Sequence, residues 1–199
     1  MVSEKGYIRS REMIILLGKS GSGKDTIRKE LVKIGFEPEL EYTTRPMRPG
    51  EKNDEAYHFI PKWKFFLMKK FGVFVATSDF VVASGDTYHY GIAKKSLKNG
   101  KGVLITNPTS FKELIRNKEL LKDTFSVYIY TSSFVIKKRL TDRGDDETEI
   151  TRRMKADRED FRFAPNYVSE VVQNDNVKPP NFVAHRIANL YHDYVAKTK

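Results

Sequence analysis

Short runs of Val, Ile, Leu, Phe and Tyr alternate along this chain with longer stretches whose apolar residues recur every three or four positions. Met13-Ile14-Ile15-Leu16-Leu17, Gly102-Val103-Leu104-Ile105-Thr106, Phe125-Ser126-Val127-Tyr128-Ile129-Tyr130 and Val171-Val172-Gln173 are the strand-length runs. Runs this continuous predict central strands buried on both faces, as in a parallel sheet clad by helices. One helix is predicted after Gly23, with Ile27, Leu31 and Ile34 on one face and Gly35 as its stop; another carries Phe111, Leu114 and Ile115. A closing amphipathic helix follows the Pro179-Pro180 break, and its stripe of Phe182, Ile187, Leu190, Tyr191 and Tyr194 is expected in the core.

The rhythm breaks between about Tyr42 and Gly91. Three short strands are predicted there, Tyr57-His58-Phe59-Ile60, Val73-Phe74-Val75-Ala76 and Val81-Val82-Ala83, around one helical segment from Pro61 to Lys70. This reads as a small mixed-sheet subdomain (42–91) inserted into an α/β core of 11–41 and 92–199. A second interruption, Asp142 to Arg153, is so charged that it is expected to lie over solvent as a mobile lid. No repeat or low-complexity tract is present.

Composition narrows the function. A chain of 199 residues, 39% hydrophobic, can bury one substantial core. With no cysteine there is no disulfide, thiolate metal site or cysteine nucleophile. The charged start, MVSEKGYIRSRE, lacks the apolar stretch of a secretory signal, and no later run approaches a membrane span, so a cytoplasmic protein is expected. A net charge of +10 suits a nucleic-acid surface or an enzyme that must hold phosphorylated substrates. The basic residues fall within motifs, which favours small phosphorylated molecules over nucleic acid or membrane, handled by a monomer or homodimer.

Gly18-Lys19-Ser20-Gly21-Ser22-Gly23-Lys24 stands directly after a predicted strand and before a predicted helix, the context of a phosphate-binding loop. Its glycines let the backbone wrap phosphates, the helix N-terminus offers free N–H groups, and Lys24 adds a point charge for the β and γ oxygens. The expected fold is therefore the three-layer α/β fold of P-loop NTPases, with ATP and Mg²⁺ as the donor pair. Asp25 occupies the position that normally supplies a metal-binding hydroxyl, so Thr26, or Asp25 through water, is the expected metal contact.

Tyr42-Thr43-Thr44-Arg45-Pro46-Met47-Arg48-Pro49-Gly50-Glu51, followed by Ala56-Tyr57-His58-Phe59, places two arginines three apart on a segment stiffened by Pro and Gly. Such an arrangement presets a clamp for a dianionic phosphate, with a tyrosine as third donor. In these residues the chain resembles the guanylate kinase family, whose signature runs T-T-R-x-x-R-x-G-E before a tyrosine-bearing strand. The resemblance spans Arg11 to Asn176. It implies transfer of a phosphoryl group from ATP to GMP or dGMP, with Arg45, Arg48 and Tyr57 on the acceptor phosphate and Glu51 supporting the loop. Tyr88-His89-Tyr90-Gly91 is similar to the family's Y-G element, which assigns Tyr90 to the same phosphate, and Asp79 would be the guanine-reading carboxylate. Ile92 departs from the family's serine or threonine, and Thr106-Asn107-Pro108 from its acidic pair, so the base is left open.

Arg139-Leu140-Thr141-Asp142-Arg143-Gly144 with Arg152-Arg153 is similar to the family's lid, in which Arg139, Arg143 and Arg153 would converge on the transferred group. Asn174 occupies the place where the family meets adenine or its loop. A ribose 1,5-bisphosphate kinase shares the G-S-G-K-D loop, the hydrophobic residue after Y-G and the strand asparagine, and is the alternative enzyme. A catalytically silent guanylate-kinase-like binding module is the alternative from another class. His58, His89, His185 and His192 show no metal-ligand spacing.

Overall fold

The computed structural model describes residues 13–48, 50–82, 85–97, 101–116 and 124–198. In chain order the first half holds β1 (Met13–Leu17), α1 (Lys24–Lys33), β2 (Glu37–Glu39), β3 (Tyr42–Thr43), β4 (His58–Phe59), α2 (Lys62–Lys70), β5 (Phe74–Val81) and β6 (Thr87–Ala93). The second half holds β7 (Gly102–Ile105), α3 (Pro108–Arg116), β8 (Thr124–Tyr130), α4 (Ser133–Asp142), α5 (Glu147–Asp160), β9 (Glu170–Gln173) and α6 (Pro180–Thr198).

Five strands form a wholly parallel sheet in the order β2-β7-β1-β8-β9. The run on β1 is continuously apolar because both sheet faces are covered. Ile14 and Leu16 pack with Ile27 and Leu31 of α1 and with Ile187 and Tyr191 of α6. Met13, Ile15 and Leu17 pack on the other side with Phe111 and Leu114 of α3 and with Ala76 and Ile92 of the second sheet. Truncating Ile15 to Ala would leave a cavity costing about 2–5 kcal/mol.

Several expectations needed adjusting. Val171-Val172-Gln173 is the outer strand β9, with Val172 buried and Val171 45% exposed. Ile34 lies beyond the last helical residue of α1 as its C-cap and is 37% exposed; Arg28 takes the place on the buried face. Phe182 is half exposed, while Val183 and Ala184 face the core. The segments around Val73–Ala76 and Val81 are one strand, β5, with an irregularity between Phe74 and Ala76; Ala83 lies outside the described residues. The run from Tyr57 to Ile60 gives only the two-residue β4.

The second sheet has the order β4-β3-β6-β5, with β3 and β4 parallel and the other pairs antiparallel. Its side bearing Glu41 and Ser78 is tied by hydrogen bonds to Thr106 and Asn107 at the carboxyl end of β7, the end of the strands where ligands bind in open α/β sheets. The charged stretch near 142–153 is the corner of a helical hairpin. Gly144 turns the chain at φ 84°, the Asp146 carboxylate caps α5 by accepting from the N–H groups of Thr148 and Glu149, and Ile136, Leu140, Ile150 and Met154 form a small core of their own.

Candidate active site

Between β1 and α1 the chain makes the glycine-rich loop. Gly21 and Gly23 adopt φ of 74° and 91°, a left-handed conformation that side chains disfavour. At Gly23 a Cβ would also meet Asn174 Nδ2 at 2.5 Å, so the glycine makes room for a brace. Asn174 Nδ2 donates to the Ser22 carbonyl at 2.8 Å, and the Thr131 hydroxyl donates to the same oxygen at 3.3 Å. Asn174 is thus placed as a buttress behind the loop.

Lys24 folds over the loop and donates to the carbonyls of Gly18 at 2.7 Å and Lys19 at 2.9 Å. Burial lowers its pKa, with Asp25 and Asp157 opposing that shift. The ammonium is held by the backbone. The Ser20 N–H is taken at 2.6 Å by the Asp157 carboxylate of α5. Sequence reasoning missed Asp157, since a lone aspartate on a charged helix carries no signal.

Lys24, Asp25 and Arg28 line the cavity beside the loop, and Thr26 is solvent-exposed outside it. Successive helical residues turn by about 100°, so a hydroxyl two positions after Lys24 points away. Of the two residues expected near a metal, Asp25 lies on the cavity and Thr26 off it. Arg28, also missed, donates to the carbonyls of Glu55 at 3.0 Å and Ala56 at 3.5 Å, tying the donor helix to the segment that carries Tyr57.

Opposite the loop, β3 delivers the chain into the arginine segment. Arg45 donates to Glu51 Oε1 at 2.9 Å while the Arg48 N–H donates to Glu51 Oε2 at 2.7 Å, so one carboxylate sets both arginines. The Arg45 guanidinium lies 5.5 Å from the Tyr57 ring centroid and 5.3 Å from that of Phe59, and the rings of Tyr57 and Tyr90 meet at 6.0 Å. Burial pulls the Arg45 pKa down, but the Glu51 pair outweighs it and the net direction is up. Arg48 is lowered, first by burial and then by repulsion from Arg45, Arg153 and Arg143. Among the described residues its guanidinium makes no hydrogen bond. Four cations around a small volume, one of them free, define a site for an anion.

Asp79 also lines the cavity. Its carboxylate pairs with His89 Nδ1 at 2.7 Å, beside Phe65 and Phe66. On β5 and β6 the register pairs Asp79 with His89 and Ser78 with Tyr90, so strand alternation puts Ser78, one residue earlier, on the face of Tyr90. Another carboxylate lining the cavity is Glu41, which accepts the Thr106 hydroxyl at 2.6 Å. Gly91 is required by packing, because a Cβ there would lie 2.7 Å from the Phe74 ring. Ile92 is buried in the core, and Asn107 caps α3, its Oδ1 accepting from the Ser110 N–H at 3.0 Å.

Of Arg139, Arg143 and Arg153, two meet. Arg143 and Arg153 both pair with Asp145, and Arg153 also donates to Glu149 at 2.6 Å. Arg139 stands apart: it donates to the carbonyls of Gly21 at 3.1 Å and Asn174 at 2.8 Å, bracing the loop from behind. Arg152 pairs with Glu149 and lies 5.5 Å from the Phe80 ring at the cavity edge. Its guanidinium, through a direct hydrogen bond, is the first cause holding Glu149 down to about 2.

The loop, the clamp and Arg143, Arg152 and Arg153 open on one cavity of about 1040 Å³, large enough for two nucleotides. Comparison with known proteins agrees with this arrangement. The guanylate kinase family model matches residues 10–180. A guanylate kinase of Nostoc sp. is 32% identical over 176 residues, covering 83% of this chain and 84% of its own. The guanylate kinase of Aster yellows witches'-broom phytoplasma is 31% identical over 195 residues, covering 94% and 88%. Among solved structures, guanylate kinase from Anaplasma phagocytophilum superposes with a TM-score of 0.70 at 18% identity, covering 91% of this chain and 84% of that one. Shikimate kinase from Acinetobacter baumannii, at a TM-score of 0.51 and 15% identity with coverages of 94% and 96%, shares the fold alone. With its glycine-rich loop and its arginine segment lining one cavity and relatives of this identity over most of its length, the chain belongs to the guanylate kinase family.

Proposed function

We propose that the protein transfers the terminal phosphoryl group of ATP to GMP, giving ADP and GDP. The observation that carries this reading is the placement of the backbone-braced Lys24 loop and the Arg45–Arg48–Tyr57–Tyr90 clamp on opposite walls of a single cavity. ATP phosphates would displace Asp157 from the Ser20 N–H and take Lys24 at their β and γ oxygens. The acceptor phosphate would occupy the clamp, where neutralising Arg48 relieves repulsion already present. An oxygen of the acceptor phosphate then attacks the γ-phosphorus in line, and ADP leaves.

Phosphoryl transfer asks little covalent chemistry of the protein, so positioning and cations aimed at the equatorial oxygens supply the acceleration. Arg143 and Arg153 supply those charges once the α4–α5 hairpin swings them from Asp145 onto the transferred group. Closure would also exclude water and limit hydrolysis of ATP. Arg139 and Asn174 serve the donor loop from behind.

Among the described residues no three carboxylates, histidines or cysteines gather as a metal site. That suits magnesium carried in on ATP, which needs only one or two protein carboxylates beside phosphate and water. The exposed Asp25, next to Lys24 on the cavity, fits that part. Held there, the ion would supply positive charge to offset that of the donor phosphates. The reading sets the reaction in the cytoplasm, and no described helix is long and apolar enough to cross a membrane.

Product analysis with ATP and each of GMP, dGMP, AMP and ribose 1,5-bisphosphate tests the assignment. GMP and dGMP should be preferred; turnover confined to ribose 1,5-bisphosphate, or none with any acceptor, would refute it.

A further inference from the structure

Helix α2 turns most of its apolar residues outward. Only Phe65 is buried, stacked on the rings of Phe74 at 4.7 Å and His89 at 5.5 Å, and it pins the helix to the second sheet. Trp63, Phe66, Leu67 and Lys70 stand at positions i, i+3, i+4 and i+7, so they run down one side of the helix, centred away from Phe65. Trp63 is 69% exposed, Phe66 49% and Leu67 47%, and Phe71, the C-cap, reaches 73%. An amphipathic helix ordinarily turns such a stripe to the core, and a contiguous apolar cluster left outside marks an interaction surface.

The rest of the helix is cationic. Lys62, Lys64, Lys69 and Lys70 border the stripe, and no Asp or Glu occurs between Glu55 and Asp79. Other lysines are engaged in ion pairs, as at Lys33, Lys52, Lys137 and Lys138, whereas these four form none among the described residues. Lys62 and Lys64 stand in the first turn with no acidic residue beside them, where positive charge opposes the helix dipole and does nothing for the fold. Nor do they serve the substrates, since no residue of α2 lines the cavity. Asp79, on the Phe66 side, is paired with His89.

We propose that α2 docks the protein reversibly on an anionic lipid bilayer, with Trp63, Phe66, Leu67 and Phe71 entering the headgroup layer and the lysines pairing with lipid phosphates. Aromatic and aliphatic side chains along one side of a helix, with lysines beside them, form the pattern of an interfacial helix, and each lysine adds attraction to an anionic surface. Rings standing this far out of the protein need no shaped pocket in a fluid layer, whereas a protein partner would have to provide one. A second copy fits worse, because a two-fold contact over this face would set its lysines against their own duplicates. Single-stranded nucleic acid is held in a basic groove, which one convex helix does not offer. With the cavity elsewhere, docking leaves phosphotransfer intact.

Trp63 is the only tryptophan of the chain, so its emission reports on this face alone. Vesicles of phosphatidylcholine mixed with phosphatidylglycerol, added to the full chain, should shift that emission to shorter wavelength and carry the protein down on sedimentation; pure phosphatidylcholine should do so far less. Partition should fall about fivefold for each of Lys64→Gln and Lys70→Gln. Salt at about 1 M, where the screening length is about 3 Å, should release most of the protein. Leu67→Ser combined with Phe71→Ser should abolish the shift while phosphotransfer stays at the wild-type rate, which also shows that the variant is folded. No shift with anionic vesicles, sedimentation without a shift, or undiminished binding by the lysine variants or by the folded serine variant would overturn the proposal. So would a shift produced by poly-glutamate or a single-stranded oligonucleotide but not by vesicles, which would assign the face to an acidic protein or to nucleic acid. A shift that grows with protein concentration alone would assign it to a second copy and overturn the proposal as well.

Discussion

The two walls of the cavity prepare for phosphate by different means. On the donor side every element is tied to another. Lys24 holds the loop's carbonyls, Asn174, Thr131 and Arg139 brace the loop from behind, and even the Ser20 N–H has a carboxylate in place. On the acceptor side the groups are set by Glu51 but not satisfied: Arg48 is strained by three neighbouring guanidiniums, and Glu41 carries an open oxygen. The donor wall is organised by backbone geometry, whereas the acceptor wall is organised by charge and is completed by its ligand.

That contrast predicts different failures. The largest effect is expected at Lys24, where Lys24→Ala should cut kcat about 10³-fold, on the order of 4 kcal/mol, with little change in the dissociation constant for GMP; single-turnover kinetics and calorimetry separate the two. Next comes Arg45→Ala, which should lower kcat/KM for GMP roughly 30- to 150-fold, the worth of a charge-assisted contact of about 2–3 kcal/mol. KM for ATP should hold, and a loss shared equally by both substrates would dissolve the distinction between the walls.

The difference was also partly legible in the sequence. The donor loop needs glycines at left-handed positions and a lysine after them, and Gly21, Gly23 and Lys24 announce that chemistry by type and spacing. The strands of the central sheet were legible because burial on both faces leaves continuous apolar runs; β2 was not, since Glu37-Pro38-Glu39 is a short polar edge. Arg45 and Arg48 were readable from their spacing, and Glu51 from the family resemblance. The polar cluster of Glu41, Thr106, Asn107 and Ser78 was not, because it depends on a register across β3, β6 and β5 that links residues far apart in sequence. A one-residue step along β5 separates Ser78 from Asp79 and turns their side chains to opposite faces. Arg139 and Arg143 share a helix, yet only the packing of α4 against the loop separates their tasks.

Smaller effects sharpen the comparison. Glu41 ionises near pH 4.5 when unfolded and near 7 when folded, so its ionisation does not oppose folding below about pH 4.5, opposes it increasingly between the two values, and does so fully above 7. Glu41→Gln should therefore raise stability more at pH 8 than at pH 5, by up to about 3 kcal/mol, in thermal melts at the two pH values. Equal shifts at both would mean the carboxylate is not strained. Asp157→Asn should tighten ATP binding several-fold, about 1 kcal/mol, because a competing charge leaves the Ser20 N–H; calorimetry that finds weaker binding would make Asp157 a ligand-positioning group instead. Asp79→Asn should change kcat/KM for GMP by less than about threefold, and a larger loss would return Asp79 to the base pocket.

The most direct test of a donor wall and an acceptor wall sharing one reaction is a chromatographic count of nucleotides after incubation of the purified protein with ATP, GMP and magnesium. GDP and ADP should appear in equal amounts, and the rate of both should fall about 10³-fold in Lys24→Ala. ADP formed without GDP, or at the same rate when GMP is omitted, would contradict the account.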